Sequence, residues 1–177
     1  DLLVDAAPLV RARHDASFVV CGDGPERERL ERKVKRFGIE KNFTFRGRLS
    51  PEDIADELRR ADVYVSTSKS DSTSVSLLEA MACGATPVVT DLPANREWIT
   101  DGENGLVVPT RDGRALAEAI VRALESPAFR ARVRERNLAV IRERGLWSVN
   151  MARVEEAFRR LAETRADGAA RSGMSAE

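Results

Sequence analysis

The chain has 177 residues, a length that suits one globular unit with room for an extension. Its 29 lysines and arginines balance its 29 aspartates and glutamates, so no net field draws it to nucleic acid or an anionic membrane. Cys21 and Cys83 lack the spacing of a zinc site or a secreted disulfide framework and read as small core residues in a reducing cytoplasm, and no apolar run approaches the roughly 18–20 residues of a membrane span.

The opening residues Asp1-Leu2-Leu3 do not form a signal peptide, and the lack of an initiator methionine suggests sequence upstream. The first element is a helix, kinked or started at Pro8, with His14 as a surface residue near its end. Short β-branched runs then recur at residues 17–21 (SFVVC), 42–45 (NFTF), 62–66 (DVYVS), 87–90 (PVVT) and 105–108 (GLVV), and these predict strands. Between them lie helices with punctuated ends. Pro25 opens one that Gly38 closes, and Ser50 followed by Pro51 and Glu52 supplies the cap and first turn of the next. Alternating strands and helices imply a doubly wound, Rossmann-like parallel sheet, with ligands at the carboxyl ends of the strands. Helical periodicity over 112–124, 129–144 and 148–161 finishes the domain. The expected organisation is one domain over 1–165 and a disordered tail over 166–177, where small polar residues bury too little apolar surface to order themselves.

The richest segment is 66–91, STSKSDSTSVSLLEAMACGATPVVTD: strand, polar loop, helix and second strand. The helix spans about Val75 to Cys83 and ends at Gly84, so its first unpaired N–H groups face the carboxyl edge of the sheet, a setting for a diphosphate. Two carboxylates bracket it, Asp71 before the helix and Glu79 inside it, and both suit sugar hydroxyls. A plainer reading also fits: Ser76-Leu77-Leu78-Glu79 is a capping box, and Asp71 makes an Asx turn. Gly22-Asp23-Gly24-Pro25 is a strand-to-helix turn that ligand contact or tight turning explains equally well. Its spacing is shorter than the dinucleotide fingerprint, and Lys35 and Arg36 stand where an acidic ribose partner is expected, which disfavours a dehydrogenase. Arg48 and Leu49 follow another strand. No serine has a histidine–acid relay, and no metal-ligand cluster is visible.

In this order the motifs resemble the C-terminal, donor-binding domain of group 1 (family 4) retaining glycosyltransferases of the GT-B fold, from residue 1 to about 161. The opening DLLVDAAPLVRARHDASFVVCGDGPERERLE is similar to the family's first helix, strand and Gly-x-Gly-Pro turn, and FRGRLSPEDIADELRRADVYVSTS to its next two strands. SDSTSVSLLEAMACGATPVVTD resembles the family signature of two acidic residues separated by seven, followed by Glu-Ala-Met-Ala-Cys-Gly, and NREWITDGENGLVVP resembles the segment after it.

The resemblance implies transfer of a hexosyl group from a nucleotide-diphosphate sugar, such as a UDP- or GDP-sugar, with no cofactor or metal. Glu79 then holds the ribose and Asp71 the transferred sugar. The backbone of Ser72, Thr73, Ser74, Val75 and Ser76 holds the diphosphate and sugar. Arg48 and Leu49 border the base, and Gly22 and Gly24 line the cleft edge. It further implies that a first strand, the phosphate-binding arginine and lysine, and an acceptor-binding domain lie upstream. Any peripheral membrane association would come through that domain, and this chain alone is not expected to be a complete enzyme. Two departures stand out: Asp71 replaces the usual glutamate, and Ser72-Thr73-Ser74 replaces Gly-Phe-Gly. The terminal helix resembles one that crosses back to the partner domain, so Trp147, Val149, Val154 and Phe158 form an exposed stripe or pack within this domain. An epimerase or phosphorylase of the same architecture, and a non-catalytic nucleotide-sugar-binding or interaction domain, are the alternative readings; for a phosphorylase, Lys69 lacks the context of a pyridoxal-binding lysine.

Overall fold

The computed structural model describes the backbone of residues 1–173 and the side chains of residues 1–160. Helices and parallel strands alternate. The order is α1 (Leu2–Arg11), β1 (Phe18–Cys21), α2 (Arg27–Arg36), β2 (Phe43–Gly47), α3 (Pro51–Arg60), β3 (Val63–Ser66), α4 (Val75–Cys83), β4 (Thr86–Thr90), α5 (Pro93–Arg96), β5 (Leu106–Val108), α6 (Gly113–Glu125), α7 (Pro127–Val140) and α8 (Trp147–Gly173). A π-helical turn, Ile141–Gly145, separates the last two. All five predicted strands form, within one or two residues of their expected ends. The sheet is in two pieces: β1 pairs with β2, and β3–β4–β5 make a second sheet, so β1 and β3 each have one unpaired edge.

The sequence explains the layers. In β3, Val63 and Val65 join the main core while Tyr64, one residue out of phase, reaches α4 on the other face. That core gathers Val4, Ala6, Ala7 and Val10 of α1, Leu116, Ile120 and Val121 of α6, and Val88, Leu106 and Val108 of β4 and β5. The alanines on α1 let it lie close against α6, and α2 touches α1 on the same side. α3 and α4 pack together on the opposite face. β4, flanked on both sides, has all five residues buried, the pattern of a central parallel strand. Phe18 and Phe43 sit in register across β1 and β2, their rings stacked at 4.7 Å.

Pro8 lies inside α1 without ending it, and α2 begins at Arg27 after a turn through Pro25. Ser50 caps α3, its oxygen accepting from Asp53 N–H at 3.1 Å, as the sequence predicts. A buried amide pair ties the loop before β5 to α7: Asn104 Nδ2 donates to Asn137 Oδ1 at 2.9 Å, and Asn137 Nδ2 returns a bond to the Asn104 carbonyl at 3.0 Å.

The chain divides into two compact units, Asp1–Ala139 and the residues from Val140 on. In the second, Trp147 is 79% exposed, Phe158 69% and Val154 42%, so three of the four stripe residues face solvent. α8 runs from Trp147 to Gly173, into the first residues of the segment 166–177. Residues 174–177 of that expected tail lie outside the described residues.

Candidate functional site

The loop after β3 is anchored at both ends by hydroxyls. At its start, Thr90 Oγ1 donates to the Ser68 carbonyl at 2.7 Å. At its end, Ser74 caps α4, its Oγ accepting from Leu77 N–H at 3.4 Å. The five residues between, 69–73, are all exposed. Leu77 and Leu78 N–H also reach the Ser74 carbonyl, at 3.1 and 3.2 Å. Consequently, among the described residues, the N–H groups of Ser74, Val75 and Ser76 have no protein partner. They lie at the positive end of the helix dipole.

The capping-box reading of Ser76 and Glu79 is corrected here. The cap is Ser74, two residues earlier, because Leu77, Ala80 and Met81 must face the core and the helix has to begin at Val75 to present them. Glu79 therefore lies five positions past the cap, too deep to satisfy a terminal N–H. It is exposed and makes no ion pair or side-chain hydrogen bond. Val75, one turn before it on the same face, is 66% exposed. Asp71 Oδ1 accepts from the N–H of the adjacent Ser72 at 2.8 Å, one residue short of the i to i+2 bond of an Asx turn, and Oδ2 makes no bond among the described residues. Gly84 ends α4 in the left-handed region at φ 88°, and the bonds from Gly84 N–H to Met81 and from Ala85 N–H to Ala80 form a Schellman closure.

A second group forms at the carboxyl ends of β1 and β2. Gly22, at φ 114°, donates its N–H to the Gly47 carbonyl at 2.7 Å, which sets the Gly22-to-Gly24 turn beside Arg48 and Leu49. A Cβ at Gly22 or Gly24 would meet nothing within 4 Å, so this edge is open. Asp23 Oδ1 accepts from Gly24 N–H at 3.0 Å, and Arg48 is exposed without an ion pair.

A cleft of about 430 Å³ opens at the carboxyl ends of β3 and β4, lined among others by Asp1, Arg29, Thr67, Lys69, Thr90 and Arg111, and none of the site residues expected from the sequence lines it. Apart from Lys69, weighed only as a pyridoxal partner, sequence reasoning gave these residues no role, although Thr90 ends β4 and Thr67 and Thr110 follow β3 and β5 within two residues, where such folds place ligands. Arg111 is the one non-glycine among the described residues with positive φ, at 69°. At the same edge Arg96 grips Asp91 with two bonds, of 2.5 and 2.8 Å, and holds its carboxyl below the usual range. The core reading of the cysteines is also corrected: Cys21 is exposed because it ends β1, a strand open on one side, and Cys83 is half-buried. Partial burial, reinforced by Glu57, pushes the Cys21 thiol up.

Among the described residues no group of three His, Cys, Asp or Glu could hold a metal ion, and no helix is long and apolar enough to cross a membrane.

A parallel α/β sheet with a capped, donor-rich helix N-terminus and two exposed carboxylates in the same segment, Asp71 and Glu79, defines a Rossmann-like module of the GT-B type. Residues 1–139 match the family Glycosyl transferases group 1, and the chain belongs to that family. It is 32% identical over 130 residues to alpha-D-kanosaminyltransferase of Streptomyces kanamyceticus, covering 73% of this chain and 34% of that protein. It is likewise 32% identical over 163 residues to phosphatidyl-myo-inositol mannosyltransferase of Mycobacterium leprae, covering 91% of this chain and 42% of that protein. The chain thus spans less than half the length of these relatives. Among solved structures, Anabaena HepE in complex with UDP and glucose superposes with TM-score 0.79 at 22% identity, covering 89% of this chain and 44% of that one. The C-terminal domain of the group 1 glycosyl transferase LpcC of Francisella tularensis superposes with TM-score 0.75 at 24% identity, covering 82% and 78%.

Proposed function

We propose that this chain is the donor-binding half of a retaining glycosyltransferase that moves a sugar from a nucleotide-diphosphate sugar to an acceptor. The observation that carries the proposal is the start of α4, where three unpaired N–H groups lie between two carboxylates with free oxygens, Asp71 and Glu79. The diphosphate takes the N–H groups, Glu79 the ribose hydroxyls and Asp71 the transferred sugar. The base lies along Gly22, Gly24, Arg48 and Leu49. As the C1–O bond breaks, negative charge grows on the departing diphosphate and an oxocarbenium-like centre forms at C1. Donors already oriented by the Ser74 cap meet that charge without reorganising, and a helix N-terminus does so without a divalent ion. That the relatives are named for transfer of kanosamine and mannose supports the reaction class, and the UDP in HepE supports the donor.

The remaining parts come from a longer protein in this reading. α2 lies on the α1 and α6 face and α3 on the other, so right-handed crossovers order the strands β2–β1–β3–β4–β5. The same handedness sets a strand leading into α1 on the side of β1 away from β2, in the slot beside β3. A segment upstream of Asp1 fills that slot and brings basic residues to the phosphates, and an acceptor-binding domain precedes it. Trp147, Val154 and Phe158 face that domain.

Calorimetric titration with UDP, GDP and ADP tests the donor site. One nucleotide binds in preference to the others, and sugar transfer by the full-length protein uses the matching donor. Absence of binding by all three to the full-length protein would sink the proposal.

A further inference from the structure

Tyr64 is the single tyrosine of the chain. Its neighbours Val63 and Val65 serve the main core, and an apolar ring would fill the space towards α4 equally well, so the hydroxyl calls for its own explanation. It lies 2.7 Å from Ser76 Oγ, at the best distance for an O–H···O bond. Ser76 Oγ is in turn 3.3 Å from Ser74 Oγ, a long contact, and Ser74 Oγ already accepts the capping bond from Leu77.

We propose that Tyr64 is a positioning residue of the donor site: its phenol donates to Ser76 Oγ and so commits the Ser76 hydroxyl proton to a phosphate oxygen at the start of α4. The inference rests on the donor-site reading above. A phenol is a better hydrogen-bond donor and a poorer acceptor than an alkyl hydroxyl, so Tyr64 takes the donor role in this pair. A serine that accepts one bond keeps its own proton and becomes a stronger donor through cooperative polarisation. Ser76 is exposed and its N–H is unpaired, so side chain and backbone of one residue form a two-point grip on an oxyanion. Without Tyr64, Ser76 would rotate freely among water, Ser74 and the ligand, and its hydroxyl would present lone pair and proton alike. The loop residues Ser72, Thr73 and Ser74 add further hydroxyls to the same turn, which makes their orientation matter here.

The test is a double-mutant cycle of Tyr64→Phe and Ser76→Ala, with affinity for the preferred nucleoside diphosphate and for its monophosphate measured by calorimetry. Ser76→Ala, which loses a hydrogen bond to a charged group, is expected to weaken diphosphate binding roughly ten- to hundredfold, and Tyr64→Phe, which loses a neutral bond, roughly three- to tenfold, while both leave the monophosphate within about twofold. The double variant should bind no worse than Ser76→Ala alone. Additive losses, or equal losses for the two nucleotides, would mean that Tyr64 acts only through packing and would overturn the proposal. The donor-site reading fails separately: if the unaltered protein binds neither nucleotide, both ideas fall, whereas intact binding that Tyr64→Phe leaves unchanged refutes the Tyr64 role alone.

Discussion

Replacing Glu79 with alanine separates a ligand role from a structural one. The side chain is exposed, unpaired and mid-helix, and alanine is the better helix former, so folding stability should change by no more than about 0.5 kcal/mol. A carboxylate that accepts from ribose hydroxyls makes charge-assisted hydrogen bonds, whose loss costs about 1.5–3 kcal/mol. At about 1.4 kcal/mol per factor of ten, nucleoside diphosphate affinity should fall between about tenfold and a hundredfold. Calorimetry measures the binding and thermal unfolding measures the fold, with Glu79→Gln as an intermediate because it keeps an acceptor and loses the charge. A 2′-deoxyribose nucleotide, which lacks one of the hydroxyls, should show a smaller loss in Glu79→Ala than its ribose counterpart. Unchanged affinity in Glu79→Ala, with an intact melting transition, would refute the reasoning.

Two further predictions concern the frame of the site. Gly84→Ala places a Cβ at φ 88°, 2.9 Å from Arg134 Nε, and should destabilise the chain by about 1–2 kcal/mol in a urea titration; removing the Arg134 side chain as well should recover the steric part but not the backbone part. The Asp91 carboxyl, held down by its bonds to Arg96, should titrate by NMR below the reference value of about 3.9 and return towards it in Arg96→Ala. Because the folded pKa is the lower one, the contribution of this pair is present above about pH 3.9 and fades as pH falls through the folded value.

Much of the fold was legible because its signals are local. Five β-branched runs became five strands, Ser50 and Pro51 began α3, and Gly84 ended α4. The candidate site was legible as far as it is carried by one contiguous segment, 71–79. What failed depended on the third dimension. Ser74 and Ser76 are equally good caps on paper, and only the burial of Leu77, Ala80 and Met81 chooses between them. Cys21 looked like core because its strand did, but alternation places it outward beside an open edge. Asn137 stands between Arg136 and Leu138 like any solvated helix residue, yet it is fully buried because Asn104, 33 residues away, shares its amide. Tyr64 gave no sign of a polar role, since its partner lies across a loop, at the second residue of α4.

The divided sheet has a consequence for handling this polypeptide. Two parallel edges, on β1 and β3, each present a row of unsatisfied backbone donors and acceptors. Such edges are templates for any extended chain that meets them, including a second molecule of the same sequence. Self-association through these edges would therefore grow with concentration and reverse on dilution.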